Sequence, residues 1–283
     1  MRLSVSLTQK YHHFSAIGYF TQLAAQAGCL GQCFVGGVPS GNAGAGMVPT
    51  FGAEGRLSTN PVAWSAPAKS ETPFMLDIAT TQVRKGATKR RYEKALVLPP
   101  YKITPLQIAG NKIELARRMG VPLHPGFITD DDGTVIEEEV HAGETYLQAP
   151  FGGTRENGSH KGYGMGVVAD LFFNGLSTQA EDEPDERGRL TAGGGFFAAF
   201  DIEHFTDREQ YDRAADGLLA DLRNTKPAPG FERVLYPGLR GAEIAAERRA
   251  NGIPYHPEVQ LPLGLAVVDL LRDALDCAVL EDR

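Results

Sequence analysis

Glycine stands at 33 and proline at 18 of the 283 positions, so turn residues punctuate the chain often. The segments between them alternate short apolar runs with helical spacing, as mixed α and β proteins do. With 42% apolar residues over this length the chain has ample material for a core, which excludes disorder, a coiled coil and a disulfide mini-protein. Its formal charge of −7 offers no broad cationic field for nucleic acid. No run approaches the roughly 20 apolar residues of a membrane span. The opening MRLSVSLTQKYHHF lacks the continuous apolar stretch of a signal peptide. The expectation is a soluble, cytoplasmic chain, with no membrane partner. Three cysteines, Cys29, Cys33 and Cys277, form an odd, sparse set suited to a reducing compartment.

From Phe14 to Ala27 the apolar positions Ala16, Ile17, Phe20, Leu23, Ala24 and Ala27 recur at three and four, with Gly28 as a stop; this predicts a helix with His13 at its entrance. Residues 30–35 read as a strand leading into the small-residue loop GGVPSGNAGAG (36–46). PFMLDI (73–78) reads as a buried strand, 161–176 as a buried helix, and FFAAFDI (196–202) as a strand. Further helices are expected through Tyr211, Ala214, Leu218 and Leu222, over 242–250 and over 259–278. Two polar inserts, RKGATKRRYEK (84–94) and AEDEPDERGR (180–189), read as solvated loops.

The usual phosphate-loop, dinucleotide, zinc-protease and nucleophile-elbow signatures are missing. Cys29 and Cys33 have no matching ligand pair, so two small buried hydrophobes are expected there and no metal. His13 is a candidate base, because the positive end of a helix dipole favours the neutral, proton-accepting imidazole. GSHKGYGMG (158–166) pairs glycines that permit close backbone approach with a lysine at a helix start. Such an entrance favours an anion such as a pyrophosphate.

Several segments taken in order, KYHHFSAIGYFTQLAAQAG, STNPVAWSAP, FMLDIATTQVRKG, NKIELARRMG, FGG followed by SHKGYGMGVVADLFFNGLS, and PAPGFERVLYPG, resemble the type 2 malate/L-lactate dehydrogenases. That family includes ureidoglycolate, sulfolactate and diketogulonate oxidoreductases and cyclic imino-acid reductases. The resemblance implies an α+β fold with a mainly antiparallel sheet flanked by helices, binding NAD or NADP without a Rossmann domain. By position it implies His13 as acceptor of the substrate hydroxyl proton, with Asp77, Ile78, Ala79, Lys161 and Gly238 at the cofactor. Asp77 is either a hydrogen-bond acceptor for the cofactor or a carboxylate that orients a neighbouring group. The implied reaction is hydride transfer between the nicotinamide and a small 2-hydroxy or 2-oxo acid, in a homodimer. The alternatives are an NADPH-dependent cyclic imino-acid reductase, with the 84–91 basic cluster at a 2′-phosphate, or a silent truncated paralogue acting as an interaction subunit.

The layout implied is one unit over 1–283, lacking the family's N-terminal helical portion, with a cofactor-binding region at about 30–200 and the rest of the catalytic region in 1–29 and 201–283. Other departures are Ser15 and Ser58 in place of the family's glycines and an insertion at 87–110, long for a plain connection.

Overall fold

A computed structural model describes residues 3–9, 14–37, 46–82, 97–98, 101–102, 113, 116, 119–141, 143, 146–176 and 194–254. His13, Cys277, both polar inserts and the helix expected over 259–278 lie outside these residues. The chain falls into two units, Met1–Gly238 and Leu239–Arg283. No helix among the described residues is long and apolar enough to cross a membrane.

Five strands build the main sheet of the first unit: β1 (Leu3–Gln9), β2 (Cys29–Gly36), β4 (Val62–Ala66), β5 (Phe74–Ile78) and β10 (Gly194–Asp201). Their order is β1-β10-β2-β4-β5, and every pairing is antiparallel. The register aligns Leu7, Phe196, Phe34, Val62 and Ile78 in one row, and Ser6, Phe197, Cys33, Ala63 and Asp77 in the next. Alternate residues of a strand point to opposite faces, so these two rows line the two faces of the sheet. Helix α1 (Gly18–Gln26) covers the Cys33 face, where Ile17, Cys33 and Ala63 are buried with Phe14 and Phe197 against them. Helix α2 (Ser159–Asp170) and the wide π turn Leu171–Gly175 cover the Phe34 face. There Phe34, Val62, Ala169, Phe196 and Ala198 form the core. Phe172 meets Phe34 and Phe196 edge-on at 5.5 and 5.4 Å, a geometry that aromatic quadrupoles favour.

A second sheet, β3 (Gly46–Met47), β9 (Leu147–Gln148) and β8 (Ile128–Thr129), has its own core of Ile113, Leu123, Phe127 and Ile128. Within the 87–110 insertion the short strands β6 (Val97–Leu98) and β7 (Tyr101–Lys102) pair antiparallel. The mixed fold with an antiparallel sheet is the one the sequence implies. Helix α1 starts four residues later than the apolar spacing predicts, because Ser15 takes a left-handed φ of 58° and holds the chain out of the helix. The helix thus begins five residues past His13 in the sequence, whereas the spacing predicts it at Phe14.

After β10, Asp207 caps helix α3 (Arg208–Asn224) by accepting from the N–H groups of Glu209 and Gln210 at 3.0 and 3.1 Å. The α3 residue Asp216 accepts from the backbone N–H of Lys69, Ser70 and Glu71 at 2.9–3.2 Å. Arg223 forks onto Glu71 at 2.8 and 3.1 Å. Together they pin the turn between β4 and β5. Partial burial pushes the Asp216 pKa up, but the three N–H donors outweigh it and hold the carboxyl below its usual range. A depressed folded-state pKa contributes stability that is present above the unfolded value and lost as pH falls through the folded one. Asp216→Ala should lose about 1 kcal/mol at neutral pH, discounted for solvent screening. In denaturant titrations the difference from the wild type should shrink as the medium is acidified below the ordinary carboxylate range.

In the second unit, α4 (Leu239–Asn251) carries Arg248 and Arg249 in its last turn, where cations complement the helix dipole. Gly252, at φ 83°, ends it by donating to the Arg248 carbonyl at 2.9 Å.

Candidate functional site

Strand β5 divides the expected site residues between the two faces of the sheet. Asp77 ends the row that faces α1, and its Oδ2 accepts the Gly18 N–H at 2.8 Å. A carboxylate at the first residue of a helix satisfies a donor that has no intrahelical partner and faces the positive end of the dipole. Burial raises the Asp77 pKa, and the Gly18 bond offsets this only in part. Among the described residues it has no ion-pair partner. The bond to Gly18 ties the end of β5 to the start of α1. Burial first, and the Asp77 charge second, push the Cys33 thiol up to about 12, so it stays a protonated packing group. Cys33 is buried as expected, whereas Cys29 is half-exposed.

Gly238 supports the same strand from outside. Its φ is 101°, and a Cβ there would lie 2.8 Å from both Met75 N and Pro73 O. The Pro237 carbonyl beside it accepts from Met75 N at 3.1 Å. The glycine is required by this approach to protein backbone.

On the other face, Ile78 packs against the Phe34 core. Past Ala79 the chain leaves β5 and is stitched to two neighbours. Thr80 N donates to Thr59 O at 3.0 Å, Phe151 N to Thr80 O at 2.7 Å, and Gln82 N to Ala149 O at 2.7 Å. Asn60, fully buried at a φ of 34°, donates from Nδ2 to the Gly166 carbonyl of α2 at 2.9 Å. That bond enters the helix ladder one turn before the π turn begins.

The glycines of GSHKGYGMG let protein, and not a ligand, come close. A Cβ on Gly162 would lie 2.4 Å from the backbone N and O of Phe151, and one on Gly166 would lie 2.6 Å from Met47 Cε. The entrance to α2 is also less open than the bare pattern implies. Ser159 N already donates to Thr154 O at 3.0 Å, and Lys161 N to Gly158 O at 2.9 Å. Attraction for an anion there rests on side chains. Lys161 is exposed in the first turn, and Arg155 donates from Nη1 to His160 Nδ1 at 2.8 Å. Arg155, Asn60 and the exposed rings Phe51 and Phe151 were not singled out by sequence reasoning. The STNP segment marked the place of Asn60, but nothing in the pattern tied it to α2.

The structure thus groups Lys161 with Arg155 and His160 at one end of α2, and Asp77 with Gly18 and Cys33 on the other face. Ile78 and Ala79 lie between them along the chain. The donor set at α2 fits a phosphate-bearing cofactor: two cationic side chains stand on a helix N-terminus. Buried Thr81 Oγ1 and Gln148 Oε1, in the segments stitched beside it, have no partner among the described residues.

The model of the malate/L-lactate dehydrogenase family matches residues 3–102 and 105–263. The chain belongs to this family. Malate dehydrogenase of Pyrococcus abyssi is 29% identical to it over 262 residues, covering 91% of this chain and 63% of that protein. The Δ1-pyrroline-2-carboxylate reductase of Ancylobacter novellus is 28% identical over 249 residues, covering 86% of the chain and 60% of the reductase. Among solved structures, malate dehydrogenase from Entamoeba histolytica superposes with a TM-score of 0.65 at 26% identity, covering 87% of this chain and 63% of that one. This member of the malate/L-lactate dehydrogenase family therefore spans less than two thirds of the length of these relatives.

Proposed function

We propose that this chain is an NAD(P)-dependent oxidoreductase that moves a hydride between a nicotinamide cofactor and a small 2-hydroxy or 2-oxo acid, as a cytoplasmic homodimer. The observation that carries the reading is the cationic first turn of α2, which falls on the segment that resembles the family's cofactor lysine. The bound nicotinamide would supply the hydride acceptor and donor. Lys161 holds cofactor phosphate or ribose, Ile78 and Ala79 form the strand end beside it, and Gly238 keeps β5 in place. His13 accepts the hydroxyl proton in oxidation and returns it in reduction. Asp77 fixes the start of α1, five residues past His13, and so orients the segment that carries the base.

A parallel fluorescence titration with NADH and NADPH tests this reading. Saturable binding of either, weakened about tenfold in Lys161→Ala (about 1.4 kcal/mol), is the expected result. An unchanged dissociation constant in the variant removes Lys161 from the site. No binding to the folded chain overturns the reading and favours an interaction subunit. Similarity to the pyrroline-carboxylate reductase supports a second reading, reduction of a cyclic imino acid with NADPH. Turnover with cyclic imines but not with 2-oxo acids would establish it.

A further inference from the structure

We propose that Phe51 is a ring-stacking residue for the bound nicotinamide cofactor, holding one of its flat rings at the entrance to α2. Phe51 is 88% exposed and sits at a φ of 67°, a left-handed conformation that opposes a bulky side chain. The Pro49–Gly52 turn asks for the positive φ, but nothing in the turn or the core asks for a phenyl ring there. Glycine would suit the backbone and a polar residue would suit the water, yet the position carries an unburied aromatic ring. An outlier held against both preferences is evidence that the side chain is used.

The surrounding contacts prevent the turn from relaxing. On one side Thr50 Oγ1 lies 3.1 Å from Ser159 Oγ in the first turn of α2. On the other, Gly52 N donates to Pro49 O at 2.8 Å. Gly52 and Ala53 are packed so closely on Gly133 that a Cβ there would lie 2.2 Å from Gly52 O. Clamped at both neighbours, the backbone of Phe51 is held in place and its ring projects from a fixed point. Phe151, 47% exposed, belongs to the segment whose backbone lies against Gly162, one helical turn beyond Ser159. Both rings thus belong to segments that touch the first turn of α2, which carries Lys161, with Arg155 just ahead of it in the sequence. Aromatic faces beside phosphate-binding cations recognise a flat heterocycle attached to phosphate, a nucleotide moiety.

The inference rests on the cofactor reading above, and the experiment separates the two. NADH and NADPH are titrated into the wild type and into Phe51→Gly and Phe51→Tyr, with melting temperatures and sedimentation measured alongside. Competition by adenosine monophosphate and by nicotinamide mononucleotide identifies which ring is stacked. Phe51→Gly relieves the strain, so it should melt at or above the wild-type temperature while its dissociation constant rises at least tenfold. Phe51→Tyr should bind within about twofold of the wild type, and in Phe51→Gly competition by one of the two mononucleotides should weaken. Wild-type affinity in Phe51→Gly overturns the proposal and leaves the cofactor reading intact. A lower melting temperature or an altered oligomeric state in that variant overturns it in favour of a structural or protein-contact role. Failure of the wild type to bind either cofactor overturns both readings.

Discussion

Gly162→Ala should lower the melting temperature by about 4–8 °C. The new methyl group would lie 2.4 Å from two backbone atoms of Phe151, and backbone cannot rotate away as a side chain can. Overpacking of this kind costs about 3 kcal/mol, and in a chain of this size each kcal/mol shifts the melting temperature by roughly 2–4 °C. The intrinsic helix preference of alanine returns about 1 kcal/mol of that, which leaves a net loss of about 2 kcal/mol. Gly164 supplies the internal control. It lies in the same helix with nothing within 4 Å of the place a methyl group would take, so Gly164→Ala should gain up to about 1 kcal/mol. Equal shifts in the two variants would show that the close approach of residue 151 to α2 is wrong.

Asp77→Asn should keep or raise stability at neutral pH and leave turnover close to that of the wild type. The amide oxygen can still accept the Gly18 N–H, so the start of α1 keeps its anchor, while a half-buried charge with no described counter-ion is removed. The raised pKa fixes the sign of the pH effect. Between the unfolded and folded pKa values the folded state binds more protons, so stability falls as pH rises through that window and stays lower above it. The variant should lack this decline and melt at or above the wild-type temperature at pH 7. Thermal melts from acid to neutral pH check the first half and steady-state rates the second. A variant that melts lower would overturn the sign of the charge effect, and sharply reduced turnover would show that the carboxylate charge serves the reaction beyond anchoring α1.

Strand and helix patterns along the main sheet were legible because each buried stripe has a clear period. PFMLDI, FFAAFDI and the apolar positions after Phe14 lie within a few residues of β5, β10 and α1. β1 was not expected, although Leu3, Val5 and Leu7 alternate with Ser4, Ser6 and Thr8; three apolar positions with no turn residue ahead of them set a weak period. The second sheet was not legible: its strands are two residues long, too short for any period to register. Within the site, the lysine and the aspartate could be placed by resemblance, but their separation by the sheet could not. It depends on register, which pairing sets and composition does not. The glycines of the α2 segment do permit a close approach, as their pattern implies, but spacing cannot say whether the visitor is a phosphate or Phe151.

The alternation of β5 gives this family member an unusual intolerance to length changes in one place. Loops elsewhere can grow or shrink at modest expense, but one residue inserted between Phe74 and Asp77 would turn the strand over. The carboxylate would then point into the aromatic layer beside Phe34, and an aliphatic side chain would face the start of α1. A deletion there would do the same, so drift in this segment should proceed by substitution alone.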